Sequence, residues 1–163
     1  MVLNGRIESF PKELKLLIAA FIVVLSIGFY SGLLFVSETS SANPNGIEEQ
    51  YLGNEADEDA KVMKFKKSEQ EMLTLVHGHI LSMSIIFFLV GLILSVTRLS
   101  NKLKMFLMIE PFISVVLTFG GIYLLWKGML WTKYIIMFSG TLMTFTFVAS
   151  TLIILYQLFQ KKS

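Results

Sequence analysis

LLIAAFIVVLSIGFYSGLLFV, the stretch at residues 16–36, contains no charged side chain and decides the fold class. A membrane core about 30 Å thick is crossed by a helix of about 20 apolar residues, and this run of 21 residues meets that length. Lysines precede the run, as in a signal peptide, but the apolar part of a signal peptide spans only about 7–15 residues. We therefore expect the segment to be retained as a transmembrane helix.

Three more segments meet the same length criterion, at about residues 72–96, 103–126 and 134–159. The whole chain is 54% hydrophobic and 16% charged, whereas soluble domains carry about 25% charged residues. The sequence therefore predicts an all-α fold. We expect an integral membrane four-helix bundle that forms one membrane domain over residues 1–163, with one long extracytoplasmic loop at residues 37–71.

The distribution of lysine and arginine predicts the orientation of this bundle. Eight basic residues lie in the N-terminal tail, the second connection and the C-terminus, and six lie in the long loop and the last connection. Cytoplasmic segments usually carry the excess of basic residues. We therefore expect both the N and the C terminus in the cytoplasm and the long loop on the outer side.

The long loop carries structural signals of its own. The sequence NPNG at residues 43–46 is typical of a turn, and residues 47–52 suit one or two helical turns that end at Gly53. Residues 55–59 are mostly acidic. We interpret them as a solvated surface rather than a calcium site, because the spacing and the turn glycine of an EF-hand are missing.

Several classes of function are excluded by composition. The chain has no cysteine, which excludes thiol redox chemistry, iron–sulfur clusters and disulfides. No basic stripe alternates with aromatic residues, so we expect no nucleic-acid partner. No nucleophile–base pair, phosphate-binding loop or metal-hydrolase motif is present, so we do not expect an enzyme.

Ionisable residues inside the spans are the first candidates for function, because each is costly to place in hydrocarbon. In a helix, residues seven apart share a face, whereas residues two apart point about 200° away from each other. His77 therefore shares a face with Ser84 and Gly91, while Met83 lies on the face of His79. The His77 face is the smaller and more polar one. We expect it to point into the bundle, and the His79 face to point towards lipid or a partner protein.

Counting residues along the helices predicts which side chains lie at the same depth. If the second and third spans fold back about Ser100, His77 lies level with Tyr123. If the third and fourth spans fold back about residues 129–130, Gly120 lies level with Ser139. Small residues from three helices should then converge beside His77: Gly32, Gly120, Gly121, Ser139 and Gly140.

This layer around His77 has two interpretations. Small residues allow membrane helices to pack closely, and His77 would then hydrogen-bond Tyr123 or a serine. Alternatively, the layer encloses haem b bound by His77, alone or with a methionine, or a quinone hydrogen-bonded by His77 and Tyr123. The candidate cofactor-binding residues are His77, Tyr123 and Ser84.

Two further candidate sites involve ions. Methionine and histidine suit Cu(I), so His77, His79 and Met83 are candidate metal ligands, although two histidines at this spacing on a regular helix cannot share one ion. Glu110 is the one carboxylate deep within a predicted span, and it is a candidate for a proton or ion step. The structural alternative is a neutral acid hydrogen-bonded to Ser114.

Residues 46–55 read GIEEQYLGNE, and residues 65–79 contain FKKSE, EML and HGH at the head of the second span. These two stretches resemble a family of small four-helix membrane proteins from bacteria, of Bacteroidota-like composition. The resemblance covers about residues 46–91. It implies a location in the bacterial inner membrane and a unit formed by the loop and the second span, but it supplies no activity and no catalytic residue.

These observations favour a small integral membrane subunit of a larger, respiratory membrane complex, with a haem or quinone site near His77. Its expected contacts are membrane lipids and other membrane subunits, which would bind through the His79 face and the acidic outer loop. The alternative is a homo-oligomeric small transporter or membrane sensor that uses Glu110.

Overall fold

The fold is all-α. The computed structural model describes residues 6–40, 43–55 and 62–160, and no β-strand occurs within these ranges. A short 3-10 turn at Ile7–Ser9 precedes five α-helices. The helices are α1 (Lys12–Ser40), α2 (Pro44–Leu52), α3 (Glu69–Ser95), α4 (Asn101–Trp126) and α5 (Thr132–Leu158).

Four of these helices are long and apolar enough to cross a membrane: α1, α3, α4 and α5. They contain 26–29 residues, which corresponds to about 40 Å at 1.5 Å per residue. Most of them extend a few residues beyond the predicted spans, because a helix continues into the headgroup region once its first turns are formed. The largest extension is in α1, which runs four residues further in both directions than residues 16–36.

Helix ends are defined by side-chain caps. Ser68 and Glu71 form a reciprocal capping box at the start of α3, with bonds of 3.3 Å and 2.8 Å. At the other end of α3, the Lys104 ammonium donates to the carbonyls of Ser95 and Thr97 at 2.9 Å and 2.8 Å. A cation is favourable there, because the last carbonyls of a helix carry partial negative charge.

The depth relations predicted from the sequence are confirmed to within two residues. The His79 ring stacks on Phe119. Folding α3 and α4 back about Ser100 predicts that residue 121 lies level with His79, two residues from the observed contact. The hydroxyl oxygens of Thr118 and Ser139 are 2.7 Å apart. Folding α4 back on α5 predicts position 120 level with Ser139, which is again two residues from the observed contact. The bundle is therefore antiparallel along α3, α4 and α5, with tight turns between consecutive helices.

The core has two clusters, one near each end of the bundle. The cluster at the end that carries α2 includes Ile47, Met72, Phe119, Trp126 and Phe147. The cluster at the end that carries both termini is Ile7, Ile18, Ile22, Val90, Leu94, Leu107, Ile154 and Leu158. Apart from Ser40, α1 buries only the residues that it contributes to the second cluster. Farther along, Phe29 of α1 stacks on Phe147 of α5 with ring centroids 4.0 Å apart, and the side chains at residues 30–38 are exposed.

The loop between α1 and α3 folds over the ends of α4 and α5. The Trp126 indole donates to the carbonyl of Lys67 at 2.7 Å, and Lys133 pairs with Glu48 at 2.6 Å. The predicted helical turns at residues 47–52 are confirmed as part of α2, which Gly53 ends with a φ of 83°. Only glycine adopts that backbone conformation without strain.

Candidate functional site

The prediction that His77 points into the bundle is wrong, whereas His79 is exposed and Gly91 is buried, as predicted. The residues that α3 buries include Met72, Phe87 and Val90, so its packed face is the one nearest His79, and His77 is exposed. The physical reason is that large apolar side chains fill the interior, while small polar ones need not point inward. The hydroxyl of Ser82, for example, donates to the Gly78 carbonyl of its own helix at 2.7 Å, and it can face lipid without losing that bond.

The geometry of His79 leaves one ring nitrogen open. Its Nδ1 is 2.8 Å from the Leu75 carbonyl oxygen, and a carbonyl can only accept, so Nδ1 carries the proton. In the neutral ring, Nε2 is then an acceptor with a free lone pair. The ring stacks on Phe119 with centroids 4.7 Å apart, which fixes its plane. The side chain as a whole is exposed at the edge of the bundle.

The other predicted cofactor residues do not form an enclosed site with His77. Ser84 is half-buried, and so is Tyr123, whose ring lies 5.8 Å from that of Trp126. The expected convergence of small residues is wrong for Gly32 and Gly120, because a methyl group added at either would meet nothing within 4 Å. By contrast, Gly121 and Gly140 do lie in the contact between α4 and α5.

The candidate copper ligands are divided between two faces. Met83 packs against the core on the same side as His79, while His77 is exposed elsewhere on the helix. This chain alone therefore does not assemble the three-residue set. Within the described residues there is also no group of three or more His, Cys, Asp or Glu side chains that could hold a metal ion.

Glu110 is a buried residue of α4, with 7% of its surface exposed. Its Oε1 accepts a hydrogen bond from the Ser114 hydroxyl one helical turn away. Its Oε2 is buried and has no hydrogen-bond partner among the described residues. Buried polar atoms in proteins almost always have a partner, so this oxygen requires an explanation.

Other buried polar side chains along α4 and α5 are satisfied locally. The hydroxyl of Thr146 donates to the Leu142 or Met143 carbonyl, and that of Thr151 donates to the Phe147 carbonyl, at about 3 Å. Hydroxyls can bond to their own helix in this way, whereas a carboxylate lacks a proton to donate. Glu110 therefore stands apart from the serines and threonines that surround it.

Sequence reasoning missed one polar cluster, at the end that carries the termini. Glu8 pairs with Arg98, and the Gln157 side chain bonds both backbone groups of Arg98 at 2.6 Å and 3.2 Å. The amide of Ile7 donates to the Val96 carbonyl at 3.0 Å. These contacts join residues far apart in sequence, and no local pattern marks them. They tie the N-terminal turn to α3 and α5.

Four apolar spans connected in this way define a multi-pass membrane protein. A family model described as a transmembrane helical domain matches residues 41–163, and the chain belongs to this uncharacterised membrane family. The matched range contains α2 to α5 and leaves out α1, the span that is least buried. No curated protein and no solved structure matches the chain.

Proposed function

We propose that this protein is a small membrane subunit of a larger respiratory assembly, and that it holds a haem or quinone on the exposed flank of α3. In this proposal His79, rather than His77, is the main ligand residue. The observation that carries the proposal is the His79 ring, which is fixed by Leu75 and Phe119 and keeps Nε2 open at the edge of the bundle.

The depth of His79 makes an open nitrogen costly. The residue lies ten positions beyond Glu69, about 15 Å along α3. A helix of 27 residues is about 40 Å long, so if it is centred on a hydrocarbon layer of about 30 Å, His79 lies about 10 Å inside that layer. A polar atom without a partner costs free energy there. A partner for Nε2 must then come from outside the contacts described within this chain.

The tautomer of His79 suits the two ligand classes proposed. Histidines that bind a metal usually donate their second ring N–H to a carbonyl or carboxylate, which orients the other nitrogen as the ligand. Haem iron accepts such a nitrogen, and the hydroxyl of a reduced quinone can donate a hydrogen bond to it. Because His79 is exposed, the ligand would lie between this chain and lipid or a partner subunit.

The experiment is purification of the full-length protein in a mild detergent, followed by a visible absorption spectrum, quinone extraction and identification of co-purifying membrane proteins. We expect a haem spectrum or an extractable quinone that His79→Ala removes. Ser82→Ala is the matched control, because Ser82 is exposed on the same helix and bonds only its own helix. Absence of any ligand and of any membrane partner would contradict the proposal, as would loss of ligand in His77→Ala but not in His79→Ala.

A homo-oligomeric transporter or sensor is the second candidate, favoured by the open oxygen of Glu110. Four helices are few for a transport path, so this function requires several copies of the chain. Mass measurement of the protein in lipid nanodiscs tests it. A homo-oligomer supports the candidate, and a monomer that co-purifies with other subunits supports the assembly proposed above.

A further inference from the structure

We propose that Glu110 and its neighbours on α4 and α5 form a binding site for a monovalent cation inside the bundle. The site would use oxygen ligands only, and sodium is the probe that we choose for it. This inference goes beyond the histidine flank and does not depend on it, because the two sites lie on different helices and use different atoms.

The first ligand is the carboxylate of Glu110. Its side chain is more than nine-tenths buried, Oε1 is bonded to Ser114, and Oε2 has no partner among the described residues. A buried acceptor without a donor is unfavourable, and more so when it is charged. A cation beside Oε2 removes that cost.

The second ligand is a backbone oxygen that Pro111 sets free. Proline has no N–H, so the carbonyl four residues earlier, that of Leu107, loses its usual helical donor. Pro111 is the one proline that lies in the interior of a described helix. Leu107 is buried, with 4% of its surface exposed, and it precedes Glu110 by three residues. Its carbonyl oxygen therefore lies within the same helical turn as the open carboxylate.

Two hydroxyls complete a set of four oxygens. The Ser114 oxygen already touches Glu110 and can use its lone pairs for a cation. On α5, the contact between Thr118 and Ser139 sets the register, and counting seven residues towards the termini end along each helix reaches Pro111 and Thr146. Thr146 is fully buried and donates its own proton to a carbonyl, so its lone pairs remain available.

Charge and ligand type define the cation. Oxygen ligands without sulfur or imidazole suit hard cations. Each ion pair of the described residues lies near the end of a helix, so Glu110 has no nearby ionic partner in the interior. One carboxylate with a monovalent cation is neutral overall, whereas a divalent cation would leave an uncompensated charge in low dielectric. The geometry therefore points to a singly charged ion.

The test is equilibrium binding of radioactive sodium to the full-length protein in lipid nanodiscs, with choline used to keep the ionic strength constant. We expect saturable binding that Glu110→Gln abolishes. Ser114→Ala removes one ligand, and Pro111→Ala supplies an N–H that occupies the Leu107 carbonyl. Each should weaken sodium binding about tenfold, which corresponds to about 1.4 kcal/mol. The control variant Ser82→Ala should bind sodium with the same affinity as the wild-type protein.

Several results would overturn the inference. One is the absence of saturable sodium binding in protein whose helical content is intact, which would leave Glu110 as a buried neutral acid. Another is equal sodium affinity in the unchanged protein and in Glu110→Gln. If Glu110→Gln does not fold, the sodium affinities of the variants Ser114→Ala, Pro111→Ala and Ser82→Ala decide. Equal sodium affinities of Ser82→Ala and Ser114→Ala would reject the site.

Discussion

At the scale of single residues, polar groups at membrane depth divide into two kinds. The hydroxyls of Ser82 and Thr146 donate to carbonyls of their own helices, so they are satisfied wherever they face. Among the described residues, Nδ1 of His79 and Oε1 of Glu110 each have a hydrogen-bond partner, whereas no bond joins Nε2 of the exposed His79 ring and Oε2 of Glu110 is buried without one. Within the membrane spans, an open atom rather than polarity as such therefore marks the residues to which we assign function. Glu8, whose Oε2 is also buried without a partner among the described residues, lies outside the spans and pairs with Arg98.

The ion pair between Glu8 and Arg98 gives a prediction at this scale. Glu8 is buried, so Arg98→Ala leaves a buried carboxylate without its partner, whereas the backbone bonds of residue 98 to Gln157 remain. We expect a loss of about 1–3 kcal/mol in the free energy of unfolding, measured by denaturation in mixed micelles. Glu8→Gln in the same background should restore part of that loss. No change in stability would show that the pair contributes nothing.

The sequence could indicate which polar residues matter but not which way they face. Glu110 lies on the packed side of α4 with Ser114, as its spacing predicts. The exposure of His77 could not be deduced, because Ser84 and Gly91 on its face suggested an inward orientation, although a serine hydroxyl can bond to its own helix and face lipid, as that of Ser82 does. The fixed ring of His79 depends on Phe119 of another helix, and no local pattern contains that contact.

At the scale of secondary-structure elements, composition determines where the spans are, and tertiary contacts determine how each one packs. Apolar runs of about 20 residues predict α1, α3, α4 and α5 directly. The span α1 is the most apolar of the four, with a mean hydropathy of 2.4 against 1.8–2.1 for the others, but hydropathy alone does not show which helix lies at the edge of the bundle. The peripheral position of α1 follows from the few residues that it buries, chiefly Ile18 and Ile22 at the termini end.

The capping box of α3 gives the prediction for this scale. Ser68→Ala removes the side-chain acceptor for the Glu71 amide and should destabilise the protein by about 1 kcal/mol. The control is Ser82→Ala, for which we expect a change within about 0.5 kcal/mol, as for most exposed positions. Both are measured by denaturation in mixed micelles. Equal stability of the two variants would indicate that α3 does not depend on its cap.

At the scale of the whole molecule, an even number of spans places both termini on one side, and α2 lies on the other. We propose that the termini face the cytoplasm of a bacterial inner membrane, because eight of the 14 basic residues lie at that end. The family match covers residues 41–163, which include both parts of the predicted unit, the long loop and the start of α3.

Single cysteines test this orientation, because the natural chain has none. Asn45→Cys and Leu130→Cys should react with an impermeant thiol reagent added to intact cells, and Asn101→Cys should react only after the membrane is opened. Position 130 is preferable to Gly128, whose φ of 103° would strain any other residue. Labelling of Asn101→Cys alone in intact cells would reverse the proposed orientation.

The open nitrogen of His79 is the central claim, and nitrogen NMR of the protein in lipid nanodiscs tests it most directly. The chain has only two histidines, so His77→Ala and His79→Ala assign the ring signals. We expect a His79 signal with the proton on Nδ1 and an unprotonated Nε2, which shifts when quinol or haem is added. A His79 ring protonated on Nε2 with a bare Nδ1, unchanged by either compound, would contradict the account.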